Sequence, residues 1–213
     1  MTDVAASSPV TIMRKAIRHL QAADPVIGDI IQRVGPYRIE FREPDFETLV
    51  KSIVYQQLGG RVAQVIFGRL VAAVPEGMLT PANILALRPA KMRKLGLSKQ
   101  KTAYIRDLAR LTRDGTLDFA ALPALPDAEV IDRLTKVKGV GVWTAHMFLI
   151  FALRRTNILP SGDLGIRAAI RKAYGLDGLP KPTEIEVLGQ RWHPYCTVAA
   201  WYLWRSLEPN ANL

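Results

Sequence analysis

The chain has 213 residues, 49% of them hydrophobic, and carries 29 Lys and Arg against 19 Asp and Glu for a formal net charge of +10. That length suffices for one sizeable core or two small helical domains, and the charge suits a polyanionic partner through phosphate neutralisation, although solubility alone would also use it. One cysteine, Cys196, excludes an internal disulfide framework and a four-cysteine iron–sulfur cluster; the start MTDVAASSPV has no signal-peptide pattern and no apolar run is long enough to span a bilayer, so the expected location is the cytosol.

Residues 1–8 read as a disordered tail. From Pro9 a helix carries Ile12, Ala16, Ile17 and Leu20 on one face, and Asp24-Pro25 opens a second with Ile27, Ile30 and Ile31, stopped at Gly35-Pro36. Tyr37 to Phe41 alternates as a short extended connector. Asp45 is a good N-cap for a helix whose core face is Phe46, Leu49, Val50, Ile53 and Val54. Then comes Tyr55-Gln56-Gln57-Leu58-Gly59-Gly60-Arg61, and helix resumes from Val62 to Ala73. Two amides, a leucine and two glycines are unusual for a purely connecting loop; the plain alternative is a polar turn with Leu58 folded inward. Short helices follow from Thr80-Pro81 to Leu87 and from Pro89 to Leu95, and a long one from Thr102 to Arg113. Lys99, Lys101 and Arg106 suit either a phosphate-facing rim or a solvated charged face. Pro126-Asp127 leads on, with Asp127 as the expected cap.

The stretch Ile131 to Tyr174 organises the rest. Ile131, Leu134 and Val137 have helical spacing, Lys138-Gly139-Val140-Gly141 makes a turn tight enough to call for glycine, and Val142 to Leu153 has the composition of a buried helix. Unpaired amides at the start of that second helix form a site for a phosphate or similar anion. The loop Asn157 to Gly162 then delivers Asp163 to the mouth of another helix. Pro180 to Thr183 separates it from a helix over Glu184 to Arg191, and a last helix, Cys196 to Leu207, holds Trp201, Tyr202 and Trp204 among small residues as core filling. Apart from the extended connector over Tyr37 to Phe41, every element reads as helical.

The run Val137 to Ala145, the loop Leu159-Pro160-Ser161-Gly162 and an aspartate 22 residues after Gly141 resemble the helix-hairpin-helix DNA glycosylase superfamily, and within it the alkylation-repair branch, the DNA-3-methyladenine glycosylase II family. A lone GxG is common; the hairpin together with the spaced aspartate is far more specific. The resemblance covers nearly the whole chain from Pro9, without the extra N-terminal mixed α/β domain of that family. It implies an all-α fold of two helical domains flanking a DNA-binding cleft: 9–42 with 156–210, and 43–155. It also implies that the 55–61 loop enters the DNA, with Gln57 filling the gap left by an extruded nucleotide and Leu58 wedging the neighbouring base. Lys138, Gly139, Gly141 and Thr144 would hold phosphate. An alkali cation at the hairpin is possible; no other metal and no cofactor is expected.

Asp163 is the expected catalytic residue. Breaking a glycosidic bond builds positive charge on the sugar, which a fixed carboxylate stabilises while it orients water. Simple helix capping is the bland alternative. Bifunctional relatives place a lysine where this chain has Trp143, and tryptophan cannot form a Schiff base. The expected reaction is therefore monofunctional: an alkylated purine such as 3-methyladenine or 7-methylguanine is flipped and hydrolysed off double-stranded DNA by a monomer. Such cationic bases need an electron-rich pocket, for which Trp143, Trp192 and Tyr195 are the candidates, with Met147 standing where the family has a further tyrosine. His146 and His193 receive no role. The competing readings are a glycosylase with lyase activity on oxidised or mismatched bases, and a non-catalytic DNA-binding module.

Overall fold

A computed structural model describes residues 9–208, so the expected tail over 1–8 lies outside the described residues. The fold is all-α, with no strand among the described residues. They divide into two compact units, one from 9–40 and 155–208, the other Phe41–Arg154.

The first unit contains α1 (Pro9–Ala23), α2 (Pro25–Val34), α10 (Leu164–Ala173), α11 (Pro182–Gly189) and α12 (Cys196–Arg205). The expected faces of α1 and α2 are buried, except that Ile17 is half-buried and Ile12 is exposed. Ala16, Leu20, Ile27 and Ile30 pack with Ile166, Ile170, Val198 and Tyr202, each fully buried Leu or Ile contributing about 1.5–3 kcal/mol. A buried carboxylate ties these helices together. Asp24 caps α2 through Val26 N and Ile27 N. Its Oδ2 accepts from Tyr174 Oη at 2.5 Å and from Trp192 Nε1 at 2.9 Å. Cys196 is buried at the start of α12, where burial pushes its thiol up to about 12 and removes it from redox or nucleophilic chemistry.

The second unit contains α3 (Phe46–Tyr55), α4 (Gly60–Ala72), α5 (Pro81–Ala86), α6 (Pro89–Lys94), α7 (Lys99–Arg113), α8 (Asp127–Thr135) and α9 (Val142–Phe151). Helix α7 packs against α3, α5 and α6 through Ile105, Leu108 and Ala109. It begins at Lys99 rather than Thr102, because Ser98 caps it by accepting from Lys101 N at 3.1 Å. Asp127 is the first residue of α8 rather than its cap, a position taken by Pro126. Helix α9 is not buried throughout: Val142 and Trp143 in its first turn are 52% and 51% exposed, while Ala145, Phe148 and Leu149 are core.

Candidate active site

Helices α8 and α9 enclose the glycine turn. Gly139 lies at φ 80, and a Cβ there would sit 2.1 Å from the Tyr104 ring, so both conformation and space demand glycine. Gly141 differs. It has φ −97 and nothing within 4 Å of a Cβ, so nothing in the described structure requires glycine there, contrary to the expectation that both glycines serve the turn. No side-chain cap hydrogen bond closes the start of α9, and a helix N-terminus of this kind attracts an anion. Lys138 is exposed beside it, but its own amide donates to Asp107 Oδ2 at 3.0 Å.

The 55–61 loop is fastened to this turn. Gln56 Nε2 donates to the Gly139 carbonyl at 2.9 Å, so that oxygen is engaged by an amide where a cation would compete for it. Among the described residues no group of three or more His, Cys, Asp or Glu could hold a metal. Lys101 Nζ donates to the carbonyls of Val54 at 2.7 Å and Gln56 at 2.6 Å, closing the C-terminal end of α3. Arg106 Nη1 does the same for α5 through Leu87 O at 2.7 Å. Neither is therefore a free phosphate-facing side chain; burial also lowers the Lys101 pKa from its ordinary value. Gln57 holds φ 55, a left-handed conformation that costs a side-chain-bearing residue about 1–2 kcal/mol. Leu58 follows it at the surface and is not folded inward, at 37% exposure.

Between loop and turn lies a cavity of about 510 Å³. It gathers Gln57, Gly139, Trp143, Thr144 and Met147 of the expected set. Thr144, expected to hold phosphate, is buried and forms part of the wall. The aromatic surface is completed by Tyr55 and Phe151, which sequence reading did not single out. Two cations also line it: Lys51 Nζ stands 5.8 Å from the Tyr55 ring centre, and Arg42 Cζ stands 5.8 Å from that of Phe151.

Asp163 belongs to the other unit, at the cap of α10. The turn before it is closed by Asp163 N donating to Pro160 O at 2.9 Å, and Ser161 Oγ donates to Glu186 Oε1 at 2.8 Å. The carboxylate is half-buried. Its Oδ1 accepts from Ile166 N at 2.8 Å and from Trp204 Nε1, also at 2.8 Å. Capping and a fixed carboxylate are thus one arrangement. Trp204 was expected as core filling. It lies 41 residues from Asp163, and no local pattern ties the two.

Trp192 corrects the expected base pocket. It is fully buried, and its indole donates to Asp24, so it is a core residue with no face to offer a base. Tyr195, also buried, sits in the same core with its ring centre 5.5 Å from that of His19 in an edge-on arrangement. His193 precedes a cis proline and stays exposed.

A glycine hairpin between two helices, followed by a capping aspartate on an all-helical frame, defines the class. Residues 50–194 match the family described as HhH-GPD superfamily base excision DNA repair protein, and the chain belongs to that superfamily. It is 34% identical to DNA-3-methyladenine glycosylase 1 of Schizosaccharomyces pombe over 92% of this chain and 89% of that protein. A putative DNA-3-methyladenine glycosylase of Bacillus subtilis is 33% identical over 76% of this chain, which spans only 59% of that relative's length. Among solved structures, the S. pombe 3-methyladenine DNA glycosylase in complex with abasic DNA superposes with a TM-score of 0.80 at 33% identity, covering 90% of this chain and 96% of that one. A DNA-3-methyladenine glycosidase of Bacillus halodurans gives 0.81 at 32% identity, covering 97% and 92%.

Proposed function

We propose that this chain is a monofunctional DNA N-glycosylase that acts as a monomer on double-stranded DNA, flips alkylated purines of the 3-methyladenine and 7-methylguanine kind, and hydrolyses their bond to deoxyribose. The observation that carries the reading is Asp163, a carboxylate held at a helix N-terminus by two N–H donors in a chain of this superfamily. An alkylated purine is cationic while attached, so it departs with the glycosidic electron pair as a neutral base and needs little acid assistance. The sugar is left electron-poor at C1′. Asp163 stabilises that charge and directs water to C1′, and the water's proton passes to the carboxylate and on to solvent. Trp143, Tyr55 and Phe151 offer aromatic faces to the extruded base, and Met147 a polarisable wall. Arg42 and Lys51, already set over rings, are directed to the flanking phosphates rather than to the cationic base, which they would repel. The N-terminus of α9, with Lys138, Gly139 and Gly141, holds another phosphate; Gln57 and Leu58 enter the stack.

The test is release of free 3-methyladenine from methylated duplex. Asp163→Asn, which still caps α10, is expected to lower release by about 100-fold or more, the range for removing one preorganised electrostatic group. Equal release by both proteins would remove the catalytic assignment. Borohydride trapping is expected to yield no covalent protein–DNA adduct; a trapped adduct would favour the lyase reading instead.

A further inference from the structure

We propose that Trp204 is a positioning residue for the Asp163 carboxylate, an inference that rests on Asp163 being the catalytic group. A carboxylate that accepts only its own helix-capping amide keeps rotational freedom about its last torsion. Here Oδ1 takes the Ile166 amide from α10 and the Trp204 indole N–H from α12, each at 2.8 Å. Two donors from different elements fix both the plane of the carboxylate and its distance from the helix mouth. The indole is a neutral donor that cannot accept, so it holds Asp163 as an acceptor and offers it no proton.

Two further observations separate this arrangement from ordinary packing. Trp201, Tyr202 and Leu203 on the same helix are buried, whereas Trp204 is only half-buried, so the core does not by itself require a large ring there. The residue beneath the pair is Gly165. A Cβ at Gly165 would lie 3.0 Å from Asp163 Oδ1 and 3.1 Å from Trp204 Cδ1, although its φ is not in the left-handed region. A side chain there would push the carboxylate or the indole by a few tenths of an ångström, so glycine at this position gives clearance to the hydrogen bond. Carboxylate, indole and glycine thus form one closely fitted unit. Fixed geometry at a reacting carbon affects the chemical step more than binding, because small displacements of a catalytic group cost rate steeply.

The experiment is single-turnover excision from methylated duplex, with duplex affinity measured separately, for wild type, Trp204→Phe, Asp163→Asn and the double variant. Trp204→Phe keeps an aromatic ring and removes the indole donor together with part of the side-chain volume, so duplex affinity and the double variant serve as controls for packing. It is expected to lower the single-turnover rate about tenfold with affinity unchanged, and to have no effect in the Asp163→Asn background, because it acts through that carboxylate. Gly165→Ala, which keeps every donor but crowds Oδ1, is expected to lower the rate in the same way. Wild-type rates for Trp204→Phe and Gly165→Ala, alongside a disabled Asp163→Asn, would overturn the positioning role and leave the catalytic assignment standing. So would rate losses that simply add in the double variant. A fully active Asp163→Asn would overturn both.

Discussion

The two hairpin glycines look alike in sequence and differ in what they do. Gly139 needs its missing side chain for the fold, because φ 80 and the Tyr104 ring each exclude a Cβ. Gly139→Ala is therefore expected to destabilise the protein by about 2 kcal/mol or more, the left-handed penalty plus displacement of the ring, read as a lowered denaturant midpoint. Gly141 has open space and an ordinary φ, so Gly141→Ala should leave that midpoint within about 0.5 kcal/mol. A methyl group there does stand at the N-terminus of α9. Duplex affinity is accordingly expected to fall in Gly141→Ala while stability holds; unchanged affinity would mean that no phosphate approaches the hairpin at that residue. The Asp163 and Trp204 pair makes the same point, since one carboxylate oxygen serves a local cap and a distant indole together.

At the scale of elements, α7 is the support for the 55–61 loop and the glycine turn of its unit. Lys101, Tyr104 and Asp107 recur every three residues and so share a face of that helix. Lys101 closes α3 and the start of the loop, Tyr104 fills the space under Gly139, and Asp107 holds the Lys138 amide. Gln56 then links loop to turn. A lysine that contacts phosphate and one that closes a helix end respond differently to substitution. Losing a phosphate contact reduces the salt dependence of DNA affinity by about one counterion. Lys101→Met is expected instead to leave that slope unchanged and to cost about 1–3 kcal/mol of stability, by leaving two carbonyls without their donor. A reduced slope at unchanged stability would restore the phosphate-contact reading. The strained Gln57 backbone follows directly on this braced segment, which keeps the loop conformation from relaxing.

For the whole molecule, the net charge of +10 favours association with a polyanion, and burial sets part of the pH response of stability. His146 is half-buried on α9, and desolvation lowers its pKa below the ordinary 6.5. In the window between the folded value and 6.5 the unfolded chain binds the extra proton, so stability rises with pH across it. Stability is expected to be fully present above about 6.5 and to decline as pH falls through that window, with His146→Gln flattening the decline; an unchanged slope in urea titrations would exclude this histidine as the source. Residues far apart in the chain also decide the core of the first unit, where Asp24 meets Tyr174 and Trp192.

Local physics was legible in the sequence. Helical spacing, Asp45 and Asp163 as caps, and proline and glycine stops follow from neighbours within a few residues, which is the range over which backbone hydrogen bonds and side-chain periodicity act; the hairpin with its aspartate 22 residues on was legible as a resemblance. What the sequence left undetermined depended on partners far along the chain. Whether Trp192 faces a base or a buried carboxylate, whether Lys101 meets phosphate or carbonyls, and whether Trp204 fills space or holds Asp163 are set by which surfaces the folded helices bring together. A side chain's hydrogen-bonding capacity is written in its type, but its partner is chosen by packing, and only the tertiary structure shows that choice.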